Sequence, residues 1–131
     1  MKILIDADAL VALAKTDDSN HQQAIKISQK LRKAFFYITP FTIPEAATVL
    51  AYKVSQKQAV RFLKNARERQ LIAVNPEPEI YALADRIFCG QQKKGTSWID
   101  CLNVAVVKKM NLEAIFSFDR FYRKFGIKYP I

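Results

Sequence analysis

Four acidic residues stand where they could act together, although they lie far apart in the chain. Asp6 follows the apolar run Ile3-Leu4-Ile5, and Asp119 follows Ala114-Ile115-Phe116-Ser117-Phe118. Glu45 falls in the first turn of a helix that begins near Thr42-Ile43-Pro44, and Asp100 lies near the start of another. Carboxylates gathered in one pocket repel one another. Either one or more keeps its proton, or a cation is present. Hard oxygen ligands suit Mg²⁺ or Mn²⁺. Two such ions about 3.5–4 Å apart can stabilise the attacking and leaving oxygens of an in-line phosphoryl displacement. Each acid also has an ordinary reading. Asp6 and Asp119 could be loop residues capping helices, Glu45 half of a capping box, and Asp100 a favourable charge at a helix amino end.

The elements that would position these acids can be read from periodicity. Ile3-Leu4-Ile5 is short and wholly apolar, as a strand buried on both faces is. Ala9 to Ala14 reads as a helix, and His21 to Ala34 as a second. Phe35-Phe36-Tyr37-Ile38 is a β-favouring run stopped by Pro40. Thr42-Ile43-Pro44-Glu45 matches a capping box with Pro in the first turn, predicting a helix to about Val54. Ser55 can cap a further helix from Gln56 to Arg69. Leu71 to Val74 predicts a third strand, Pro78 to about Gln91 a helix, and Ile99 to Met110 another. Ala114 to Phe118 predicts a fourth strand, and Ile127-Lys128-Tyr129 a short fifth. Strands alternate with helices, so the fold class is α/β with a central, mostly parallel sheet of four to five strands. In such sheets ligands bind beyond the carboxyl ends of the strands. Strand carboxyl ends and helix amino ends share that edge, and all four acids fall there.

The 131 residues suit a single domain, 1–131. Half are hydrophobic and a quarter charged, which excludes a disordered chain. Lys plus Arg number 21 against 12 Asp plus Glu, giving +9. That balance points to a polyanion, nucleic acid before an anionic membrane. Setting aside Asp6, Glu45, Asp100 and Asp119 leaves eight acids against 21 bases, or +13. A basic exterior around an acidic pocket is what a metal-dependent nuclease requires. Cys89 and Cys101 are too few for a disulfide framework and read as two reduced, buried thiols. The lone His21 cannot build a zinc site or, with the residues around it, an evident triad; it reads as a surface residue at a helix terminus. No signal peptide or membrane-length apolar run is evident, so a soluble cytoplasmic protein is expected.

Four short motifs carry a family resemblance. Ile3-Leu4-Ile5-Asp6-Ala7-Asp8-Ala9-Leu10, Thr42-Ile43-Pro44-Glu45-Ala46-Ala47, Ser97-Trp98-Ile99-Asp100-Cys101-Leu102-Asn103 and Ser117-Phe118-Asp119-Arg120-Phe121 occur in this order. In order and spacing they resemble the motifs of PIN-domain proteins, and most of all the ribonuclease toxins of VapBC-type toxin–antitoxin pairs. The resemblance implies a three-layer α/β/α fold and a Mg²⁺- or Mn²⁺-dependent endoribonuclease. It implies that Asp6, Asp100 and Asp119 are metal ligands, with Glu45 a ligand through water or the group that positions or deprotonates the attacking water. It implies that Ser97, Asn103 and Ser117 are hydrogen-bonding groups that fix ligand orientation. It further implies an antitoxin partner and a homodimer. Asp8 stands where the family more often has Asn, Ser or Thr. It either adds a fifth negative charge to the site or turns away as a helix cap. Ala7 lacks the hydroxyl often found after the first Asp.

For the nucleic acid, Arg120, Arg123 and Lys124 follow Asp119 closely and are the expected phosphate contacts. Lys57, Arg61 and Lys64 form a helical stripe that reads equally as a solvated face. Tyr122 and Tyr129 either stack on bases or pack in the core or at its edge. Besides a structural protein with a basic face, two other classes remain open at this level. One is a non-catalytic RNA- or partner-binding domain of the same fold. The other is an Asp-x-Asp phosphatase of the haloacid-dehalogenase type, to which Asp6-Ala7-Asp8 is similar, although Leu10 replaces its usual Thr or Val.

Overall fold

The computed structural model describes residues 1–130, so the expected domain end at Ile131 lies outside the described residues. Strand β1 (Lys2–Ile5) pairs in parallel with β2 (Phe35–Ile38) on one side and β4 (Ala114–Phe116) on the other, and β2 pairs with β3 (Ile72–Ala73). The order is β3-β2-β1-β4. The chain moves outward from β1 through β2 to β3, then returns to the opposite side of β1 with β4. The strand order therefore reverses between β1 and β4, the place where an open parallel sheet leaves a crevice.

The strand residues show why helices cover both faces. Ile3 and Ile5 enter one hydrophobic core, and Leu4 between them enters the other. In β4 the same alternation sends Ala114 and Phe116 to the first core and Ile115 to the second. Side chains alternate across a strand, so both cores press on the same sheet. The first core takes residues of α1 (Ala7–Ala14), α2 (His21–Lys30), α3 (Thr42–Lys53) and α4 (Gln56–Glu68). The second takes α5 (Pro78–Cys89), α6 (Trp98–Lys109) and Tyr122 of a 3₁₀ helix, Arg120–Phe125. The result is the three-layer α/β/α arrangement.

Several boundaries differ from the sequence reading. Asp6 caps α1, so that helix starts at Ala7 rather than Ala9. Helix α2 stops at Lys30, before the turn that leads into β2. Strand β4 ends at Phe116, and β3 keeps only two residues in the ladder, although Val74 N still donates to Ile38 O at 2.8 Å. The fifth strand does not form. Its segment makes a single bond to the sheet, Ile115 N to Lys128 O at 2.9 Å. The capping box at Thr42 is also absent. Phe41 is the cap residue of α3, and the Thr42 hydroxyl turns back to accept from Thr39 N at 3.0 Å. Cys89 is exposed, whereas Cys101 is buried as expected.

Candidate active site

Asp6 is the centre of the site because it leaves β1 at the switch point. Its backbone N donates to Phe116 O of β4 at 3.0 Å, which locks the two strand ends side by side. Its side chain is 4% exposed yet fully bonded. Oδ1 accepts from Ala7 N at 2.8 Å and Asn103 Nδ2 at 3.2 Å. Oδ2 accepts from Ser117 Oγ at 2.9 Å and Tyr122 OH at 2.8 Å. Burial pushes the Asp6 carboxyl above the usual carboxylate range, against the pull of those donors.

Asp100 reaches the same point from α6. Ser97 caps that helix, accepting from Asp100 N at 3.4 Å. Beside it, Trp98 Nε1 donates to Asp85 Oδ1 at 2.8 Å, and the Trp98 ring stacks on Tyr81 and meets Phe41 edge-on at 5.6 Å. Phe41 opens α3, so this aromatic contact ties the amino ends of α3 and α6 together. Those ends carry Glu45 and Asp100. Burial, then the charge of Asp6, pushes Asp100 up to about 7, and the same two causes raise Glu45.

Tyr122 joins two of these acids. Its side chain is fully buried. The hydroxyl lies 2.8 Å from Asp6 Oδ2 and 3.0 Å from Asp100 Oδ1, and it accepts from Asn103 Nδ2 at 3.0 Å. One hydroxyl proton thus faces two carboxylate acceptors. Burial and the charges of Asp6 and Asp100 raise the phenol, which keeps that proton. Burial excludes Tyr122 from stacking on a base. Tyr129, half-buried, instead donates its hydroxyl to Asp119 O at 2.6 Å.

Ser117 does a comparable job on the other side. Its Oγ donates toward Asp6 Oδ2 at 2.9 Å and Asp8 Oδ2 at 3.3 Å, and accepts from Asp119 N at 3.1 Å. Asp8 does not cap its own helix. Its Oδ2 accepts from Phe118 N at 3.0 Å, tying α1 to the turn that carries Asp119. Its Oδ1 is buried without a partner. Burial, then the charge of Asp6, pushes Asp8 up to about 7. Asp119 is exposed and caps the 3₁₀ helix, accepting from Phe121 N at 2.9 Å.

All four expected acids line one cleft of about 470 Å³, together with Asp8 and Ser97. Asn103 and Ser117 lie beneath it as bonding groups to Asp6. The sequence reading missed Asp18 and Lys53, which line the same cleft. Lys53 had a readable signal, since it lies two helical steps of four residues beyond Glu45. Arg120, Arg123 and Lys124 line a neighbouring cleft against Asp100 and Asp119. Lys57 and Lys64 line neither of these clefts. Arg61 belongs to a separate groove between α4 and the end of α1. His21 opens α2, with Nδ1 2.7 Å from Ala12 O, outside the acidic cleft.

The donor set suits a hard cation. It is all oxygen, and no Lys, Arg or His pairs with any of its acids, since Lys15–Asp17 is the sole ion pair among the described residues. The unpartnered Asp8 Oδ1 shows the same lack of compensation. Among the described residues no three acidic, histidine or cysteine side chains close on a single point. The cleft thus fits an ion that takes one or two carboxylates and keeps water, as Mg²⁺ does.

Comparison with known proteins agrees with this fold. No curated protein sequence matches the chain. Among solved structures, VapC20 of Mycobacterium tuberculosis, described as a toxin that cleaves the sarcin–ricin loop, superposes with a TM-score of 0.85 at 16% identity, over 95% of each chain. VapBC2 of Rickettsia felis, bound to a DNA fragment from its promoter, gives 0.69 at 9% identity, over 98% of this chain and 96% of that one. VapBC-1 of nontypeable Haemophilus influenzae gives 0.66 at 15% identity with the same coverage. At these identities the likeness shows the fold. The PIN domain family model matches residues 3–128, so nearly the whole chain is covered, and the protein belongs to the PIN-domain family.

Proposed function

We propose that this PIN-domain protein is a Mg²⁺- or Mn²⁺-dependent endoribonuclease. The observation that carries the proposal is the convergence of Asp6, Asp8, Glu45, Asp100 and Asp119 on one cleft at the β1/β4 switch point, with no paired cation among the described residues. One or two of Asp6, Asp100 and Asp119 would hold the ion directly, with the remaining carboxylates and Glu45 reaching it through water. A bound divalent ion would lower the pKa of water and offset charge on a phosphoryl oxygen.

The protein's own groups have separate tasks. Tyr122 and Asn103 orient Asp6 and Asp100, and Ser117 orients Asp6 and the Asp119 turn. Glu45, half-buried and raised above the usual carboxylate range by burial and the charge of Asp6, would be the base that takes a proton from the attacking water. Arg120, Arg123 and Lys124 would hold the phosphate backbone beside the cut. Hydrolysis would be direct, without a covalent enzyme intermediate.

The VapC and VapBC neighbours support a toxin role with an antitoxin partner, and the family resemblance supports a homodimer. No helix among the described residues is long and apolar enough to cross a membrane. We place the activity in the cytoplasm, as a single domain. The test is RNA cleavage with Mn²⁺ or EDTA, comparing the parent with Asp6→Asn and Asp100→Asn. Cleavage should need the metal and vanish in both variants while they stay folded. Undiminished cleavage by both would refute the nuclease assignment. RNA binding without any cleavage would leave a binding domain in its place.

A further inference from the structure

We infer that Lys93 and Lys94, in the loop between α5 and α6, form a subsite for backbone phosphates of the RNA strand flanking the bond to be cut. The inference rests on the nuclease reading above and gives that site a direction.

The second cleft is the starting point. It has a volume of about 470 Å³ and shares Ser97, Asp100 and Asp119 with the acidic cleft, so the two are continuous. Beyond that common wall its lining is basic: Lys93, Lys94, Arg120, Arg123 and Lys124. All five cations are exposed, and none forms an ion pair among the described residues. Asp100 and Asp119 are the cleft's only acids among the described residues, and both belong to the shared wall.

The loop has a defined shape. Gly95 has φ +88°, a left-handed conformation that other residues resist, and nothing crowds the position where a Cβ would stand. The Thr96 hydroxyl donates to Lys93 O at 3.1 Å and closes the turn. Across the cleft, Lys124 Nζ donates to Gln91 Oε1 and lies 4.7 Å from the centre of the Phe121 ring. Bases are therefore held on both sides of this channel, from the loop and from the 3₁₀ helix.

The distribution is uneven. The other wall of the acidic cleft offers one cation, Lys53, beside Glu45 and Val49. A polyanion crossing the acidic centre would meet one lysine on the α3 side and five cations on the loop side. It would be held mainly on the loop side, and its contact with α3 would be slight. Lys93 and Lys94 carry no other visible task. They make no hydrogen bond through their side chains among the described residues, and they line no part of either hydrophobic core.

The test uses a fluorescein-labelled oligouridylate about 12 nucleotides long. Binding is followed by anisotropy in EDTA across a salt series, for the parent, K93Q/K94Q, and K57Q/K64Q on α4 as control. Both pairs are exposed, so folding is not at risk. K93Q/K94Q should weaken binding roughly tenfold and flatten the log–log salt slope by about 1.4, the loss of two single-strand phosphate contacts. The control should match the parent. In Mn²⁺, KM should rise for K93Q/K94Q while kcat stays within about twofold. Parental affinity and slope in K93Q/K94Q, or an equal loss in the control, would overturn the subsite. If the parent binds with the expected slope and K93Q/K94Q loses it, yet no RNA is cut in Mn²⁺, the subsite stands and the nuclease reading falls.

Discussion

Removing one oxygen atom tests how the acidic cleft is held together. Tyr122→Phe deletes a hydroxyl that serves Asp6, Asp100 and Asn103 at 2.8, 3.0 and 3.0 Å, and leaves the ring in its buried place. A hydrogen bond to a charged group contributes about 1.5–3 kcal/mol. A neighbour that orients a metal ligand is worth about 10–100-fold in affinity or activity, roughly 1.4–2.8 kcal/mol. The two figures agree, so the variant should need roughly 10–100-fold more Mn²⁺ for half-maximal cleavage. The direction with pH follows from the same bond. Tyr122 lowers both Asp6 and Asp100, and Asp100 already stands at about 7. Without the hydroxyl both carboxyls rise further, and Asp100, already at about 7, holds its proton at neutral pH. Cleavage by the variant should therefore be weakest near pH 6–7 and recover toward the parent at about pH 9. The assay is a set of Mn²⁺ titrations of RNA cleavage at several pH values, with unfolding by urea alongside. An unchanged Mn²⁺ requirement, or a loss that is the same at every pH, would refute the reasoning. The first would deny that Tyr122 orients the ligands, and the second would reduce it to a packing residue.

Two further substitutions probe other parts of the frame. Asp8→Asn keeps an oxygen for Phe118 N and Ser117 Oγ but removes a charge that burial and Asp6 oppose. Asp8 stands at about 7 when folded against 3.8 ordinarily, so the parent loses stability as pH rises through that window. Urea unfolding in EDTA should show no difference below about pH 4 and an advantage for Asn that grows to about 4 kcal/mol at pH 8; a constant difference across pH would sink this account. Trp98→Ala removes the ring that bridges Tyr81 and Phe41 and the bond to Asp85. It should cost about 2–3 kcal/mol of stability and, in protein that remains folded, at least tenfold in cleavage, because Glu45 and Asp100 lose their common anchor. Full activity in the folded fraction would show that the anchor is dispensable.

The acids were legible because their placement depends on local rules. An apolar β-branched run followed by Asp marks a strand end, and a parallel sheet brings strand ends to one edge, as Asp6 and Asp119 show. What failed depended on contacts between distant segments. Thr42 has the residue type and spacing of a capping box, yet Thr39, itself buried, captures its hydroxyl. That frees Glu45 from the capping role its spacing suggested. Tyr122 looked like any aromatic in a basic stretch. Its task arises because a 3₁₀ helix, not an α-helix, follows Asp119, which aims the phenol under Asp6 and Asp100. The fifth strand failed for want of partners, since Ile127 to Tyr129 offers one bond to β4 before Pro130. Asp8 could not be assigned from sequence, because its direction is set by Phe118 N, 110 residues away in the chain.

The hydrogen bonds are distributed unevenly among the acids, and that unevenness has a functional sense. Asp6, the most buried, accepts four. Asp8 accepts two on one oxygen and leaves the other bare. Asp100 and Asp119 accept one each from side-chain or backbone donors, and Glu45 is influenced only by burial and the charge of Asp6. The fold thus satisfies the group it must bury and leaves the outer carboxylates short of donors, facing the cleft. A group short of donors in a partly dehydrated cleft is unfavourable by itself. It becomes favourable when a cation fills the open lone pairs. The net charge of +9 hides this division: six of the 12 acids and one of the 21 bases, Lys53, line the cleft, leaving six acids against 20 bases elsewhere. The remainder of the chain, at +14, draws in a polyanion, while the cleft repels its phosphate until an ion of opposite charge stands between them.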